Sequence, residues 1–350
     1  METELRLGNI RDKFDARDRP LYTTDEVQAF TALASESAPG AGSPFVLPDL
    51  PPVYNQGGIG SCVANAVASA LRYAHKKSTG TAYKDFEPSR MFLYYNARVN
   101  SDPVNINIAG NPNAETKARH DGGSHNRSAI HSLLMQGVCL EALWPYGNPS
   151  SDQTTHLFEH LDKKPNPIEP EDWNKATWQA KGSSHLNDPK ALSGEKDIIP
   201  RAIGYYRIFD PALAGAVGGA AASPPPSWEY NWNNVPTAWL EKTLLDGFPF
   251  VFGVRIYKDA DLRISKFTPG GVLVKPPTNK SEDMGGHAMM AIGFDSAKKL
   301  FLVQNSWGST WPADITDASL KGRFWMPYEW FERSVNNLPC TYDYWVIKTS

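Results

Sequence analysis

Three short segments, far apart in the chain, carry side chains that together could cleave an amide bond. Cys62 and Gln56 lie in the first segment, His287 follows two glycines in the second, and Asn305 opens Asn-Ser-Trp-Gly in the third. A thiol becomes a strong nucleophile at neutral pH when a nearby imidazole takes its proton. An amide oxygen can orient that imidazole as a carboxylate does. The amide of Gln56 and the backbone N–H of Cys62 could stabilise the oxyanion of an acyl-transfer reaction.

The order and spacing of these residues resemble the papain-like cysteine peptidases. In that family a Gln stands six residues before the nucleophile, as Gln56 stands before Cys62, and Asn305–Gly308 matches the family's Asn-Ser-Trp-Gly at every position. Asp121-Gly122-Gly123 resembles the family's Gly-Gly loop, and Trp144-Pro145-Tyr146 resembles its Tyr-Pro-Tyr landmark. The resemblance runs from about Leu47 to the C-terminus, is interrupted by two insertions, and is strongest to a bacterial branch.

The resemblance implies an α+β, papain-like two-lobed fold, in which a helical lobe and an antiparallel β-barrel-like lobe enclose the active-site cleft. It implies a cysteine endopeptidase that hydrolyses a peptide or protein substrate through a Cys62–His287–Asn305 triad and a thioester acyl-enzyme. Gln56 would be an oxyanion donor, and Trp307 would shield the bond between His287 and Asn305. No metal or organic cofactor is expected.

The resemblance also implies which residues bind the substrate. Gly122 and Gly123 would pair with its backbone, because glycines allow close approach. Ser124 and His125 would line the main specificity pocket, with His125 giving it a polar component and Tyr342 at its base. The remaining substrate-binding candidates are Gly286 and Trp307. Gly286 stands where the family often has Asp or Asn, and Ile59 and Val63 stand where papain has Cys and Trp, so a disulfide beside the active site cannot form here.

Composition excludes several other classes of protein. In 350 residues, 41% are hydrophobic and 11 are Trp, enough for a sizeable core, and a net charge of -3 argues against nucleic acid as a partner. No apolar stretch approaches the roughly 18 residues that span a bilayer, so no membrane contact is expected. Three cysteines cannot all pair, which fits a reducing compartment. Since Met1–Glu4 begins no apolar leader, we expect a cytoplasmic protein, or export without a recognisable signal peptide. We also expect a monomer.

The spacing of apolar residues predicts helices early and strands late in the chain. A helix should begin with Ser61 as its N-cap and end before Gly80, and others should start near Ser89 and cover 127–136 and 239–246. Predicted strands are 248–254, 271–274, 287–294, 301–305, 323–326 and 345–348.

These elements divide the chain into an N-terminal pro-like extension, 1–45, and a catalytic domain, 46–350. Within that domain we predict a helical lobe over about 56–146, an insertion over 147–200 and a β lobe over 201–350. A flexible loop is expected over 211–227.

Three other functions are open at this point. The same triad could deamidate or transamidate a protein, since the thioester chemistry is shared. A catalytically silent binding protein with this fold would have no physical need for all four polar residues. The segment His156–His160 matches the His-x-x-Glu-His pattern of some zinc peptidases, but five-residue matches arise readily by chance.

The N-terminal extension has an expected role of its own. Its charged stretch Arg11–Pro20 precedes a flexible tether, and a tethered segment has a high effective concentration near its own cleft. We predict that part of residues 8–40 runs over or beside the cleft and restrains activity. The alternative is a disordered tail, or a strand packed on the back of the fold.

Overall fold

The structure is a computed structural model. It describes residues 7–12, 18–22, 43–99, 122–142, 145–146, 203–208, 235–264, 267–268 and 270–349. The predicted insertion 147–200, the predicted loop 211–227, Asp121, Trp144 and the segment His156–His160 lie outside the described residues.

The described residues form five α-helices. They are α1 Cys62–Thr79, α2 Arg90–Val99, α3 Asn126–Gln136, α4 Thr237–Leu245 and α5 Glu329–Glu332. None of the helices in the described ranges has the length and apolar character needed to cross a lipid bilayer.

The longest helix begins and ends where the sequence predicted. Gly80 follows its last residue with φ 73°, in the left-handed region, and its N–H donates to the carbonyl of Lys76 at 2.8 Å. Ser61 is the N-cap residue that the sequence predicted, but its hydroxyl makes no capping bond. That hydroxyl instead hydrogen-bonds the phenol of Tyr146, which pins the start of α1 to the loop after α3.

Most of the strands belong to a single sheet. The described strands are β1 Asn9–Ile10, β2 Phe45–Val46, β3 Ser124–His125, β4 Ile203–Arg207, β5 Phe250–Tyr257, β6 Phe267–Thr268, β7 Val272–Leu273, β8 Asp283–Asp295, β9 Leu300–Gln304, β10 Arg323–Pro327, β11 Ser334–Val335, β12 Leu338–Pro339 and β13 Thr341–Thr349.

Within the described ranges the main sheet has nine strands in the order β4-β13-β5-β8-β9-β10-β7-β6, with β2 added beside β8. All its pairs are antiparallel except β10 with β7. All six predicted strands are confirmed, with shifted ends, whereas β4 was not predicted. An early group of helices and a large, mostly antiparallel sheet give the α+β class that the sequence predicts.

Both faces of the sheet are buried. Successive side chains of a strand point to opposite faces. Along β8, Ala288 and Met290 join the core formed with the helices, and Met289 and Ala291 join a second core that includes Trp239 of α4. α1 therefore packs directly against the strand that carries His287.

Residues 18–22 of the extension are part of this fold. Leu21 donates its backbone N–H to Arg207 at 2.9 Å, and Arg207 donates its own to Arg19 at 2.8 Å. The Tyr22 ring is buried in the second core, and its hydroxyl lies 2.8 Å from the hydroxyl of Thr243. This short stretch, called the anchor below, extends the sheet beside β4.

Candidate active site

The predicted catalytic residues converge where α1 starts against the sheet. Cys62 is the first residue of α1, His287 lies on β8, and Asn305 follows the adjacent strand β9. The loop before Cys62 is tied to the segment after β9, because Gln56 donates its backbone N–H to Ser306 at 2.7 Å. Cys62, His287 and Gln56 have no exposed surface, and Asn305 has almost none.

The hydrogen bond between His287 and Asn305 fixes the tautomer of the imidazole. His287 Nε2 lies 2.7 Å from Asn305 Oδ1, and that oxygen also accepts the backbone N–H of Ser306 at 2.7 Å. An oxygen can only accept, so in the neutral ring Nε2 carries the proton and Nδ1 is the acceptor. Nδ1 has no hydrogen-bond partner among the described residues. The ring is therefore set to receive a proton at Nδ1.

An aromatic wall encloses this imidazole. The Trp307 ring stacks on His287 with centroids 4.6 Å apart, and Trp311 meets Trp307 edge-on at 5.0 Å. Burial disfavours the charged imidazolium and lowers the pKa of His287 to about 4, although the bond to Asn305 acts in the opposite direction. His287 is therefore neutral at physiological pH in this state.

The side chain of Gln56 is held at both ends of its amide. Its Oε1 accepts the Ser306 hydroxyl at 2.6 Å, and its Nε2 donates to the carbonyl of Ile59 at 2.8 Å. The bond to the Ile59 carbonyl, which can only accept, fixes which end is nitrogen, which is otherwise ambiguous for a carboxamide. Gln56 is thereby oriented beside the turn that leads into Cys62.

The other two cysteines have the environment of inert thiols. Burial raises the pKa of Cys139 to about 12 and that of Cys340 to about 11. Neither lies at the start of a helix, whereas Cys62 does, and the positive end of a helix dipole favours a thiolate. In the part of the chain that the structure describes, no three His, Cys, Asp or Glu side chains form a group that could hold a metal.

Residues 7–12, called the plug below, lie across the site. Gly8 donates its N–H to the carbonyl of Gly286, the residue before His287, at 3.0 Å. On the other side its carbonyl accepts the N–H of Ser124 at 2.8 Å, and β1 then runs parallel to β3. A Cβ on Gly8 would overlap the carbonyl oxygen of Gly60, two residues before Cys62. The plug therefore bridges the helical and β sides of the site in close contact with the loop of the nucleophile.

Most of the predicted substrate-binding residues line the plug. Side chains at Gly123 or Gly286 would overlap the plug backbone, and Gly286 also lies against the Tyr342 hydroxyl. Trp307 lies on the His287 ring, and Gly122 is exposed with open space beside it.

His125 lies beside the far end of the plug. Its Nδ1 is 3.7 Å from Asp12, and it points to the face of β3 opposite to Ser124, because adjacent residues of a strand point to opposite faces. Ser124, on the other face of β3, is fully buried.

Two residues at the site were missed from the sequence. Ser306 orients Gln56, although Ser in the Asn-Ser-Trp-Gly tetrapeptide carried no signal of this contact. Asn126 lies below the plug with no exposed surface and hydrogen-bonds the side chain of Asn9. The alternation of side chains from Ser124 onwards could have pointed to residue 126 instead of His125.

The far end of the plug enters a buried ionic cluster. The carboxylate of Asp12 accepts the indole N–H of Trp345 at 2.9 Å and the backbone N–H of Arg127 at 3.2 Å, and its own N–H donates to Asp343. Arg207, 1% exposed, pairs with Asp343 and, at 3.0 Å, with Asp18 of the anchor. Burial, and then the neighbouring Asp12, raise the pKa of Asp343 to about 7.

Comparison with known proteins gives relatives over almost the whole chain. The structure superposes on the crystal structure of xylellain, a cysteine protease from Xylella fastidiosa, with a TM-score of 0.60 and 26% identity over 98% of this chain and 96% of that chain. An uncharacterised peptidase C1-like protein, L477, of Acanthamoeba polyphaga mimivirus is 27% identical over 97% of this chain and 86% of its own length.

A more distant likeness concerns the fold alone. Procathepsin B S9 from Trypanosoma congolense matches with a TM-score of 0.51 and 12% identity over 98% of this chain and 86% of that chain. No protein-family model matches the chain. Xylellain comes from a bacterium and L477 from a virus, so the similarity is not restricted to the bacterial branch expected from the sequence.

Proposed function

We propose that the chain, which is similar to papain-like cysteine peptidases in its fold and its relatives, is an endopeptidase with Cys62 as nucleophile. The observation that carries this proposal is the hydrogen bond between His287 Nε2 and Asn305 Oδ1. It leaves His287 Nδ1 as the proton acceptor. Asn305 orients the ring, and Trp307 keeps water from the bond between the two side chains.

In the proposed reaction, His287 Nδ1 takes the thiol proton and Cys62 Sγ attacks the substrate carbonyl carbon. Gln56 Nε2 and the Cys62 N–H donate to the resulting oxyanion, each worth about 2.7–4 kcal/mol in comparable sites. The tetrahedral intermediate collapses to a thioester as the C–N bond breaks, and the imidazolium gives its proton to the leaving amine. Water, deprotonated by His287, then hydrolyses the thioester and restores the thiol.

The first test compares Cys62→Ala and His287→Ala with the wild type on a random peptide library read by mass spectrometry. Each variant should lose nearly all cleavage while keeping its circular dichroism, and the double variant should lose little more, because thiolate and imidazolium act as one unit. Cys139→Ala is the matched control, since that thiol is buried and its pKa is raised. Cleavage that survives in Cys62→Ala would refute the assignment. Products with side-chain amides converted to acids, and no new termini, would favour the deamidase alternative.

We further propose that the plug restrains this activity. Gly8 is bonded to both sides of the site, and the catalytic residues beside it have no exposed surface. A substrate must therefore displace residues 7–12 before it reaches Cys62. The anchor keeps the displaced plug close, so it competes with substrate at a high effective concentration.

The test is Gly8→Ala in the full chain, because a Cβ there would overlap Gly60 and prevent the plug from seating. Turnover of a small peptide should rise. Ile10→Ala is the matched control, since the Ile10 side chain of the same segment is 42% exposed and its loss leaves the plug seated. Equal turnover by Gly8→Ala and the wild type would contradict the restraint. The anchor must stay in the protein, because its deletion would leave Arg207 buried without Asp18.

A further inference from the structure

We propose that the pocket beside the catalytic residues selects a carboxamide side chain, that of Asn, in the substrate residue next to the one held at Cys62. Four residues, Ser124, Asn126, Gly253 and Tyr342, define this amide pocket. This substrate preference rests on the proposed peptidase function, because the pocket selects a substrate only if the chain cleaves one.

The plug carries an Asn into this pocket. Gly8 lies at the loop of the nucleophile, so Asn9 is one residue removed from the catalytic pair, and only 6% of its surface is exposed. Asn9 Nδ2 donates to Asn126 Oδ1 at 3.2 Å. A side chain that competes with Asn9 for this position must meet the same partners.

The orientation of the Asn126 amide in this pocket is set by the protein and does not depend on which side chain occupies the pocket. Asn126 Nδ2 donates to the backbone carbonyl of Asp343 at 3.2 Å, which leaves its Oδ1 turned toward the pocket as an acceptor. Asn126 has no exposed surface. The hydroxyl of Ser124 is also buried, and it has no hydrogen-bond partner among the described residues. Asn9 Oδ1 likewise has no partner among the described residues, so the group that the pocket fixes is the acceptor Asn126 Oδ1.

The size of the pocket limits the occupant as well. Gly253 has no side chain, and a Cβ there would overlap both Asn9 Oδ1 and the ring of Tyr342. The carboxamide of Asn9 thus fills the space that a side chain at position 253 would take. The buried Tyr342 ring closes this space from the other side.

These features discriminate between side chains of similar size. A carboxamide supplies the N–H that Asn126 Oδ1 requires, whereas ionised Asp brings only acceptors to it. Leu fits the volume but leaves a buried acceptor unsatisfied, a cost that corresponds to roughly a 5- to 150-fold loss. Arg and Lys can donate, but they are longer than the space that Asn fills.

The first experiment uses the full chain carrying Gly8→Ala and two sets of peptides. One set varies only the residue before the one whose carbonyl Cys62 attacks, and the other varies only the residue after it. In one of the two sets, kcat/KM for the Asn peptide should exceed that for the Asp and Leu peptides by about tenfold or more. In Gly8→Ala with Asn126→Leu, which removes the acceptor, the Leu peptide should become the better substrate. Equal cleavage of the Asn, Asp and Leu peptides by Gly8→Ala in both sets would overturn the proposal.

A second experiment separates this proposal from the peptidase function. The peptide Leu-Gly-Asn-Ile-Arg-Asp, the sequence of the plug, is titrated by calorimetry into the Gly8→Ala, Cys62→Ala chain, in which no bond can be cleaved. It should bind about tenfold or more tightly than the same peptide with Asp or Leu in place of Asn. If no peptide is cleaved but this order of binding holds, the peptidase function fails and the amide pocket stands. If the three peptides bind equally, the amide pocket fails whatever the activity.

Discussion

The protonation of His287 should report directly whether the plug is seated. In the seated state burial lowers its pKa from 6.5 to about 4, which corresponds to about 3 kcal/mol against charging the ring. In Cys62→Ala, which removes the thiol, we expect the ring to remain neutral down to about pH 4. Adding Gly8→Ala should admit water and return the pKa toward 6.5.

The sign of the linkage follows from the lowered pKa. Above pH 6.5 the ring is neutral in both states and contributes nothing to the balance. As the pH falls from 6.5 to about 4, the open state binds a proton and the seated state does not, so His287 alone favours opening by up to about 3 kcal/mol. Asp343 acts in the opposite direction. Burial, and then the neighbouring Asp12 of the plug, raise its pKa to about 7, so Asp343 in the seated state keeps a proton that it would release in the open state. The titration of the His287 ring must be observed directly, because the pH dependence of plug opening combines the contributions of His287 and Asp343.

The assay is an NMR pH titration of chains labelled in histidine, with the His287 resonance assigned by its loss in His287→Ala. The pair to compare is Cys62→Ala with and without Gly8→Ala. A ring that titrates near 6.5 with the plug seated, or at the same pH in both chains, would refute the argument. With Cys62 restored and the plug unseated, the pKa should rise further, because a thiolate favours the imidazolium.

Three further outcomes follow from the contacts of the site and the ionic cluster. Asn305→Ala should lower kcat on the order of 10²-fold and leave measurable cleavage, because the ring loses its orientation while the nucleophile survives. Ser306→Ala should lower kcat more than it changes KM, by about tenfold, since Gln56 loses the bond that orients its amide. Arg207→Met should cost about 3–5 kcal/mol in urea unfolding, because it leaves the buried carboxylate of Asp343 without its arginine and Asp18 with Arg127 alone, whereas Lys258→Met, at an exposed ion pair, should cost under about 1 kcal/mol. A smaller loss in Arg207→Met than in its exposed control would contradict the cluster's role.

Local signals in the sequence predicted the elements that carry the proposed catalytic residues. α1 was bounded by its apolar spacing and by Gly80, and mostly apolar runs follow His287 in β8 and precede Asn305 in β9. Turn chemistry and hydrophobic period act within a few residues, so one sequence suffices to find them. Ser61 is the predicted N-cap, but its hydroxyl bonds Tyr146 through tertiary structure, which no local pattern reports.

The parts that were missed depend on contacts between distant residues. β1 and β3 have two residues each, too few for a periodic pattern, and their pairing brings residue 9 to residue 124. The ionic cluster likewise joins Asp18 to Arg207 across most of the chain. Charged residues in a polar segment look the same in a sequence whether they are solvated or buried against a distant partner. The prediction that the extension reaches the cleft was therefore correct in place, but the ionic cluster that docks it could not be read from the sequence.

The absence of a side chain at Gly8 indicates that the plug fits the site specifically and does not merely lie over it. The glycines at positions 123 and 286 belong to the walls of the cleft, and a substrate backbone needs the same room there as the plug does. Gly8 lies on the plug itself, so its missing side chain benefits no substrate. Any other residue at that position would overlap Gly60 and lift the plug off the loop of Cys62. This contact supports the proposal that the extension is a cover, one that could open and reseat while the anchor keeps it attached to the folded protein.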